Sequence, residues 1–208
     1  VGSEMCIRDC IMEQPGCDNC ILDGNPLHEE QLEIMAMLGG ATALNVVIDE
    51  ARRISLINFG EVVESHLAAV DHVRAYAEVD VPERFLTVVT SAAGYPLDKT
   101  YYQTVKGMVG PLDILEPGGT LVIASACSEG MGSAEYIASQ RRLIDIGAEQ
   151  FLRDIEAKSH AAVDEWQTEM LLKPLRIGQV CLYSDGLSEA EFGLPGVTPA
   201  AEEQILAP

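Results

Sequence analysis

Residues 85–107 constrain the fold more than any other part of the chain. Residues 85–89 form a short, largely apolar run of the kind that makes a strand. Gly94 and Pro96 then turn the chain, and a helical pattern follows over residues 98–115. The same cycle recurs downstream. Pro117-Gly118-Gly119 reads as a turn and residues 120–126 as an almost wholly apolar central strand. The loop Ser128-Glu129-Gly130-Met131-Gly132-Ser133 and a helix over 134–146 come next. A helix over 161–172 carries Trp166, residues 180–183 form a last strand, and a helix begins over 200–206. Strands alternating with helices across short loops predict an α/β fold, a single domain with a largely parallel central sheet flanked by helices.

The N-terminal third reads differently. Asn25 and Pro26 cap and open a helix that Gly39-Gly40 stops. Residues 44–48 and 54–58 pair as two short strands linked through Glu50-Ala51-Arg52-Arg53. A helix over 61–76 directs Val62, Val63, Leu67, Val70 and Val73 inward. The opening, Val1-Gly2-Ser3-Glu4-Met5-Cys6-Ile7-Arg8-Asp9, has no periodicity and resembles a translated sequencing adapter. Residues 1–20 are therefore set apart from the domain, which spans 21–208.

The chain has 208 residues, 48% hydrophobic and 22% charged, enough for one sizeable core. Its formal net charge of −20, from 13 basic and 33 acidic side chains, repels phosphate backbones and anionic lipid. That argues against nucleic acid or a membrane surface as partner. No apolar run reaches the length of a membrane span.

At the junction after residues 85–89, Gln103 and Lys106 stand three apart and share a helix face. An amide and an ammonium at a strand-to-helix junction are suited to gripping a carboxylate or phosphate. The same spacing also describes a solvent-facing helix with two ordinary polar residues. Tyr101 and Tyr102 read as packing residues with a wet hydroxyl, and Asp98 as the helix N-cap. Glu129 with Gly130 and Gly132 is an anion nest, the carrier of a catalytic carboxylate, or a surface charge in a glycine loop. Cys127, at a strand end, is either a nucleophile or a buried small thiol.

Cys17-x-x-Cys20 could be half a zinc site or a redox pair, and the second half of a zinc site would have to be Cys6 and Cys10, at a spacing unlike the usual zinc patterns. Ordinary free thiols in a reducing cytoplasm are the simpler reading. His28, His66, His72 and His160 form no metal-ligand spacing. There is no Walker motif, no G-x-G-x-x-G fingerprint and no G-x-S-x-G elbow.

The order of motifs resembles the C-terminal domain of the nickel-dependent lactate racemase family. The residues that carry the likeness are Gly94-Tyr95-Pro96-Leu97-Asp98, Tyr102-Gln103, Val105-Lys106-Gly107, Pro117-Gly118-Gly119 and Cys127-Ser128-Glu129-Gly130. Gly24-Asn25-Pro26 with His28, Asn45-Val46-Val47-Ile48-Asp49 and Glu165-Trp166-Gln167 extend it over most of the chain. The resemblance implies an isomerase that interconverts 2-hydroxy acid stereoisomers by reversible hydride transfer to a nickel-pincer nucleotide. It implies that Gln103 and Lys106, with Tyr102 and Trp166, contact cofactor or substrate beside an interdomain cleft.

In that family the acid–base histidine pair, the cofactor-tethering lysine and the nickel histidine lie in an N-terminal domain that this chain lacks. None of its four histidines is assigned to those roles. The expectation is a fragment, incomplete at both ends and inactive alone, whose partners are a small 2-hydroxy acid and its own N-terminal domain. Two other readings stay open: a racemase or epimerase of another 2-hydroxy acid, and a non-catalytic binding domain of the same fold.

Overall fold

The computed structural model describes residues 11–12, 14–158 and 162–202, so Cys6, Cys10, His160 and most of the helix expected over 200–206 lie outside the described residues. The described residues divide into two compact units, 14–82 and 83–202.

The larger unit is built on a four-stranded parallel sheet. Its strands are β3 (Phe85–Ser91), β4 (Leu115–Ala124), β5 (Gln179–Tyr183) and β6 (Thr198–Pro199), neighbours in that order. The apolar run expected at the sheet centre is β4, paired on both sides, with Leu121, Val122 and Ile123 all buried. Helix α3 (Tyr101–Val109) and helix α6 (Glu165–Ile177) pack against this sheet and against each other. Helix α4 (Ala134–Ile146) lies on α6, and α5 (Ala148–Glu156) on α4. The main core joins Val88, Leu121, Ile123, Val180 and Leu182 of the sheet to Tyr101, Val105 and Met108 of α3 and Leu171 of α6. A satellite cluster of Leu143, Phe151, Ile155 and Leu172 holds the α4–α5–α6 layer together. A short helix α7 (Glu189–Phe192) precedes β6, closed by a reciprocal box between Ser188 and Glu191.

The structure departs from two local expectations. The helix predicted over 98–115 is shorter. Thr100, not Asp98, is its N-cap, accepting the Gln103 N–H at 3.3 Å. At the other end Pro111 has no amide hydrogen to donate, and the chain tightens into a 3-10 turn over Gly110–Ile114. Pro117-Gly118-Gly119 does not separate two elements but lies inside β4. Phe85 pairs with Leu115 while Thr87 pairs with Thr120, so β4 accommodates the extra residues as a bulge. Gly118 takes φ +81° there.

The smaller unit holds helix α1 (Pro26–Met37), the antiparallel hairpin of β1 (Thr42–Ile48) and β2 (Ile54–Glu61), and helix α2 (Val62–Ala77). Asn25 caps α1, its side chain accepting from Leu27 N–H at 3.0 Å, and Gly39 ends it at φ +74°. The hairpin turn is fixed by Asp49, whose carboxylate accepts from the Arg53 backbone at 2.8 Å and from its Nε at 2.9 Å. Those bonds hold the Asp49 carboxyl below the usual carboxylate range.

The α2 face that packs on the hairpin is centred on Ser65, which is buried, whereas Leu67 is exposed, contrary to the inward stripe expected for it. Asn45 Nδ2 donates to Ser65 Oγ at 2.8 Å and Asn58 Nδ2 to the Ser65 carbonyl at 3.1 Å, a polar seam where an apolar one was predicted.

Candidate functional site

The loops after β3, β4 and β5 gather at the carboxyl ends of the parallel strands, where α/β sheets hold their ligands. The first two loops are bonded to each other along their length. The Asp98 carbonyl accepts the Cys127 N–H at 2.8 Å, and the Asp98 carboxylate accepts the Ala126 N–H at 3.3 Å. Glu129 N–H donates to the Lys99 carbonyl at 2.7 Å, and the Lys99 ammonium pairs with the Glu129 carboxylate. The backbone makes room by unusual conformations: Ala93, Gly94, Cys127, Gly130 and Gly132 have positive φ, and Tyr95–Pro96 is cis. At Gly132 a side chain would also press on Tyr102, its Cβ falling 3.0 Å from the tyrosine's.

This bonding disposes of the amides that could have formed an anion site. Tyr101 N–H donates to the Gly130 carbonyl at 2.9 Å and Tyr102 N–H to that of Met131 at 3.1 Å. Gln103 and Thr104 N–H donate to the Thr100 carbonyl. The first turn of α3 is therefore satisfied internally, and any anion held nearby relies on side chains. Glu129, paired with Lys99, is a loop staple. Cys127 is fully buried beside Thr104 and Ser125, with Thr104 Oγ1 3.4 Å from its sulfur, and serves as a packed thiol.

Helix α3 presents two sides. Tyr101, Thr104, Val105, Met108 and Val109 face the core, while Tyr102, Gln103 and Lys106 lie on the wetter side. Lys106 is exposed, its Nζ 5.7 Å from the centre of the Tyr102 ring. That ring meets Trp166 edge-on at 6.0 Å and Tyr136 at 5.2 Å. The buried Gln167 Nε2 donates to the Tyr102 carbonyl at 2.7 Å, so α6 fixes α3 at the residue next to Trp166. Lys106, Tyr102 and Trp166 thus form one contiguous surface, with Gln103 one helical turn before Lys106 on the same side.

Tyr102 also lines a cavity of about 400 Å³ with Thr100, Glu129, Gly132, Ser133 and Asp164. Ser133, the N-cap of α4, donates to Asp164 Oδ2 at 2.6 Å and accepts the Tyr136 N–H at 3.0 Å.

Beneath the aromatic surface lie two fully buried phenols, Tyr101 and Tyr136, whose hydroxyls have no partner among the described residues. Burial pushes both well above the ordinary tyrosine range, and Tyr102 and Asp164 add to the shift at Tyr136. A phenol that stays protonated in the fold but ionises at about pH 10 when unfolded contributes stability that is full below that pH and lost as pH rises toward the folded value. Tyr136→Phe should therefore keep stability within about 1 kcal/mol at neutral pH. It should also reduce the loss between about pH 9 and about pH 11, checked by urea titrations across that range.

Sequence reasoning missed Asp164, Ser133 and the charge cluster behind Trp166. Glu165, 2% exposed, pairs with Arg142 and with Lys158 at 2.6 Å, while Arg142 reaches Asp154 at 2.5 Å and lies 5.1 Å over the Phe151 ring. The Glu165-Trp166-Gln167 string was the available signal, since its flanking polar residues are both buried. Of the histidines, His28 and His66 are ring neighbours at 5.8 Å, and His72 contacts Ser55 at 3.2 Å, all within the smaller unit. Among the described residues no group of three or more His, Cys, Asp or Glu could hold a metal ion.

The four-stranded parallel sheet flanked by helices defines a mixed α/β protein. Residues 83–193 match the lactate racemase C-terminal domain family, and the chain belongs to that family. It is 27% identical to a lactate racemase of Thermoanaerobacterium thermosaccharolyticum over 97% of its own length and 48% of that protein's. It is 28% identical to the lactate racemase of Lactiplantibacillus plantarum over 112 residues, 54% of this chain and 26% of that one. The lactate racemase apoprotein structure from T. thermosaccharolyticum superposes with a TM-score of 0.84 at 25% identity, covering 97% of this chain and 51% of that chain. The chain therefore spans about half the length of the first of these relatives.

Proposed function

We propose that this chain supplies one wall of the active site of a lactate-racemase-like isomerase, a racemase or epimerase of small 2-hydroxy acids. The observation that carries the reading is the Lys106–Tyr102–Trp166 surface, built on α3 and α6 inside the family match and beside the carboxyl ends of the sheet. A nickel-pincer nucleotide, when bound, supplies the acceptor for the substrate's hydride. The described residues of this chain suit such a group as wall rather than as metal ligands. Trp166 and Tyr102 offer an apolar edge that excludes water, and Lys106 offers the cation a carboxylate or phosphate requires. Gln103, donor and acceptor together, orients a hydroxyl or carbonyl. As negative charge develops on substrate or cofactor, a fixed ammonium beside it lowers the barrier. The acid–base groups belong to the N-terminal half of a complete enzyme. A cytoplasmic setting accords with Cys17, Cys20, Cys127 and Cys181, all free thiols.

The test is a chimera in which this chain replaces its counterpart in the T. thermosaccharolyticum lactate racemase, loaded with the pincer nucleotide and assayed by chiral chromatography. L-Lactate should be converted toward the racemic mixture. A folded, loaded chimera that racemises neither lactate nor a panel of other 2-hydroxy acids would sink the proposal, leaving a binding domain.

A further inference from the structure

We infer that the outward face of the β1–β2 hairpin is the seat on which the N-terminal half of a racemase-length protein packs. The hairpin pairs Leu44 with Phe59, Val46 with Ile57 and Ile48 with Ile54. All six are exposed, Phe59 at 68% and Leu44 at 63%. The alternate residues, Ala43, Asn45, Val47, Leu56 and Asn58, are the more covered ones, and two of them are amides bonded to Ser65 of α2. This is the reverse of a solvated hairpin, which turns its apolar residues to the helix and its polar ones to water. A chain with net charge −20 has no shortage of carboxylates for a wet surface, yet between Thr42 and Ile48 and between Ile54 and Phe59 this face carries none.

The unit around the hairpin cannot account for its own stability. Across residues 14–82 only Cys17 and Ser65 are buried, so every other apolar side chain is partly or fully open. A two-stranded hairpin is marginal in water unless more strands or a packed apolar layer cover it.

What covers it follows from length and position. Nearly all of this chain, residues 14–82 included, aligns with the T. thermosaccharolyticum lactate racemase, a protein about twice as long, so the smaller unit belongs to the body the two share. The C-terminal domain match begins only at residue 83, which leaves the hairpin on the side of the chain toward the relatives' remaining half. Branched and aromatic side chains in register form a flat apolar layer that fits a sheet or helix packed face to face at about 10 Å. The inference rests on the proposal that this chain works within a racemase-length protein.

Hydrogen exchange tests it, comparing peptides over 42–61 in the 208-residue chain and in the chimera described above. The chimera should slow exchange there by about tenfold or more. Val46→Glu with Ile57→Glu should return it to the rate of the chain alone, while peptides from β4 keep their protection. Equal exchange in both proteins, protection that survives the double substitution, or a chimera whose β4 is itself unprotected would each overturn the inference. So would protection that grows with concentration in the chain alone and is unchanged in the chimera, since that assigns the face to a second copy. A protected hairpin in a loaded chimera without racemisation would refute the racemase reading and leave the docking surface standing. Racemisation over an unprotected hairpin would do the opposite.

Discussion

Lys106→Ala in the loaded chimera is expected to lower kcat/KM for lactate by about a hundredfold or more, roughly 3 kcal/mol of lost transition-state stabilisation. The magnitude follows from the setting of the ammonium. Lys106 has no carboxylate partner among the described ion pairs, and its Nζ rests by the Tyr102 ring. Its charge is thus available to a ligand rather than spent in a salt bridge. If the cation acts on charge that develops during the reaction, kcat should fall more than KM rises. If it only anchors the substrate carboxylate, KM should carry the loss. Lys106→Arg should recover part of the activity, because charge is kept while the point geometry of an ammonium is replaced by a fork. Retention of full activity by Lys106→Ala would remove this face of α3 from the site.

Tyr102 separates packing from chemistry in the same assay. Its ring edge meets Trp166 and Tyr136, so Tyr102→Phe keeps both aromatic contacts and should leave the fold intact. Any activity lost by that change reports on the hydroxyl alone, while Tyr102→Ala also removes the ring that Lys106 lies beside.

The central strands were legible because a strand covered on both faces reads as an unbroken apolar run, and residues 120–124 are buried or nearly so along their length. Turns and caps were less legible, because their outcome depends on distant partners. Asp98 has the chemistry of an N-cap, but its carboxylate and carbonyl are taken by Ala126 and Cys127, so capping passes to Thr100 two residues on. Pro117-Gly118-Gly119 has the composition of a turn, and only its pairing with β3 makes it a bulge. Leu67 fits an inward stripe by periodicity. The hairpin shows α2 an amide-lined face instead, and Ser65 is the residue that matches it.

The candidate site shows the same limit. Spacing placed Gln103 and Lys106 on one side of a helix but left open whether that side held a ligand. The backbone amides at the start of α3 are accepted by Thr100, Gly130 and Met131, so any binding on this side falls to side chains. The proposed role of Lys106 rests on the meeting of Tyr102 with Trp166, residues far apart in the chain, and no local pattern encodes that contact.

Glu165→Ala should destabilise the chain by about 2–4 kcal/mol, the largest expected effect of any single change outside the apolar core. The carboxylate is almost wholly enclosed and answers two cations, Arg142 and Lys158, each about one-third exposed. Removing it leaves those cations facing each other across a space that admits little water, and water at their exposed ends keeps the figure below that of a fully buried pair. The damage should spread in a definite direction. Arg142 holds Asp154 and covers Phe151, so loss of its anchor loosens the α4–α5 layer. Glu165 is also the first residue of α6, next to Trp166 and two before Gln167, whose amide fixes Tyr102. Glu165→Gln, which keeps the shape and one acceptor, should cost less. Asp154, held below the usual carboxylate range by Gln150 and Arg142, stabilises the fold above the ordinary aspartate pKa of about 4 and ceases to as pH falls through its lowered value. Urea titrations at neutral and acid pH check both points. Tryptophan emission reads the same unfolding at Trp166, and an unchanged midpoint in Glu165→Ala would show that the cluster is no staple.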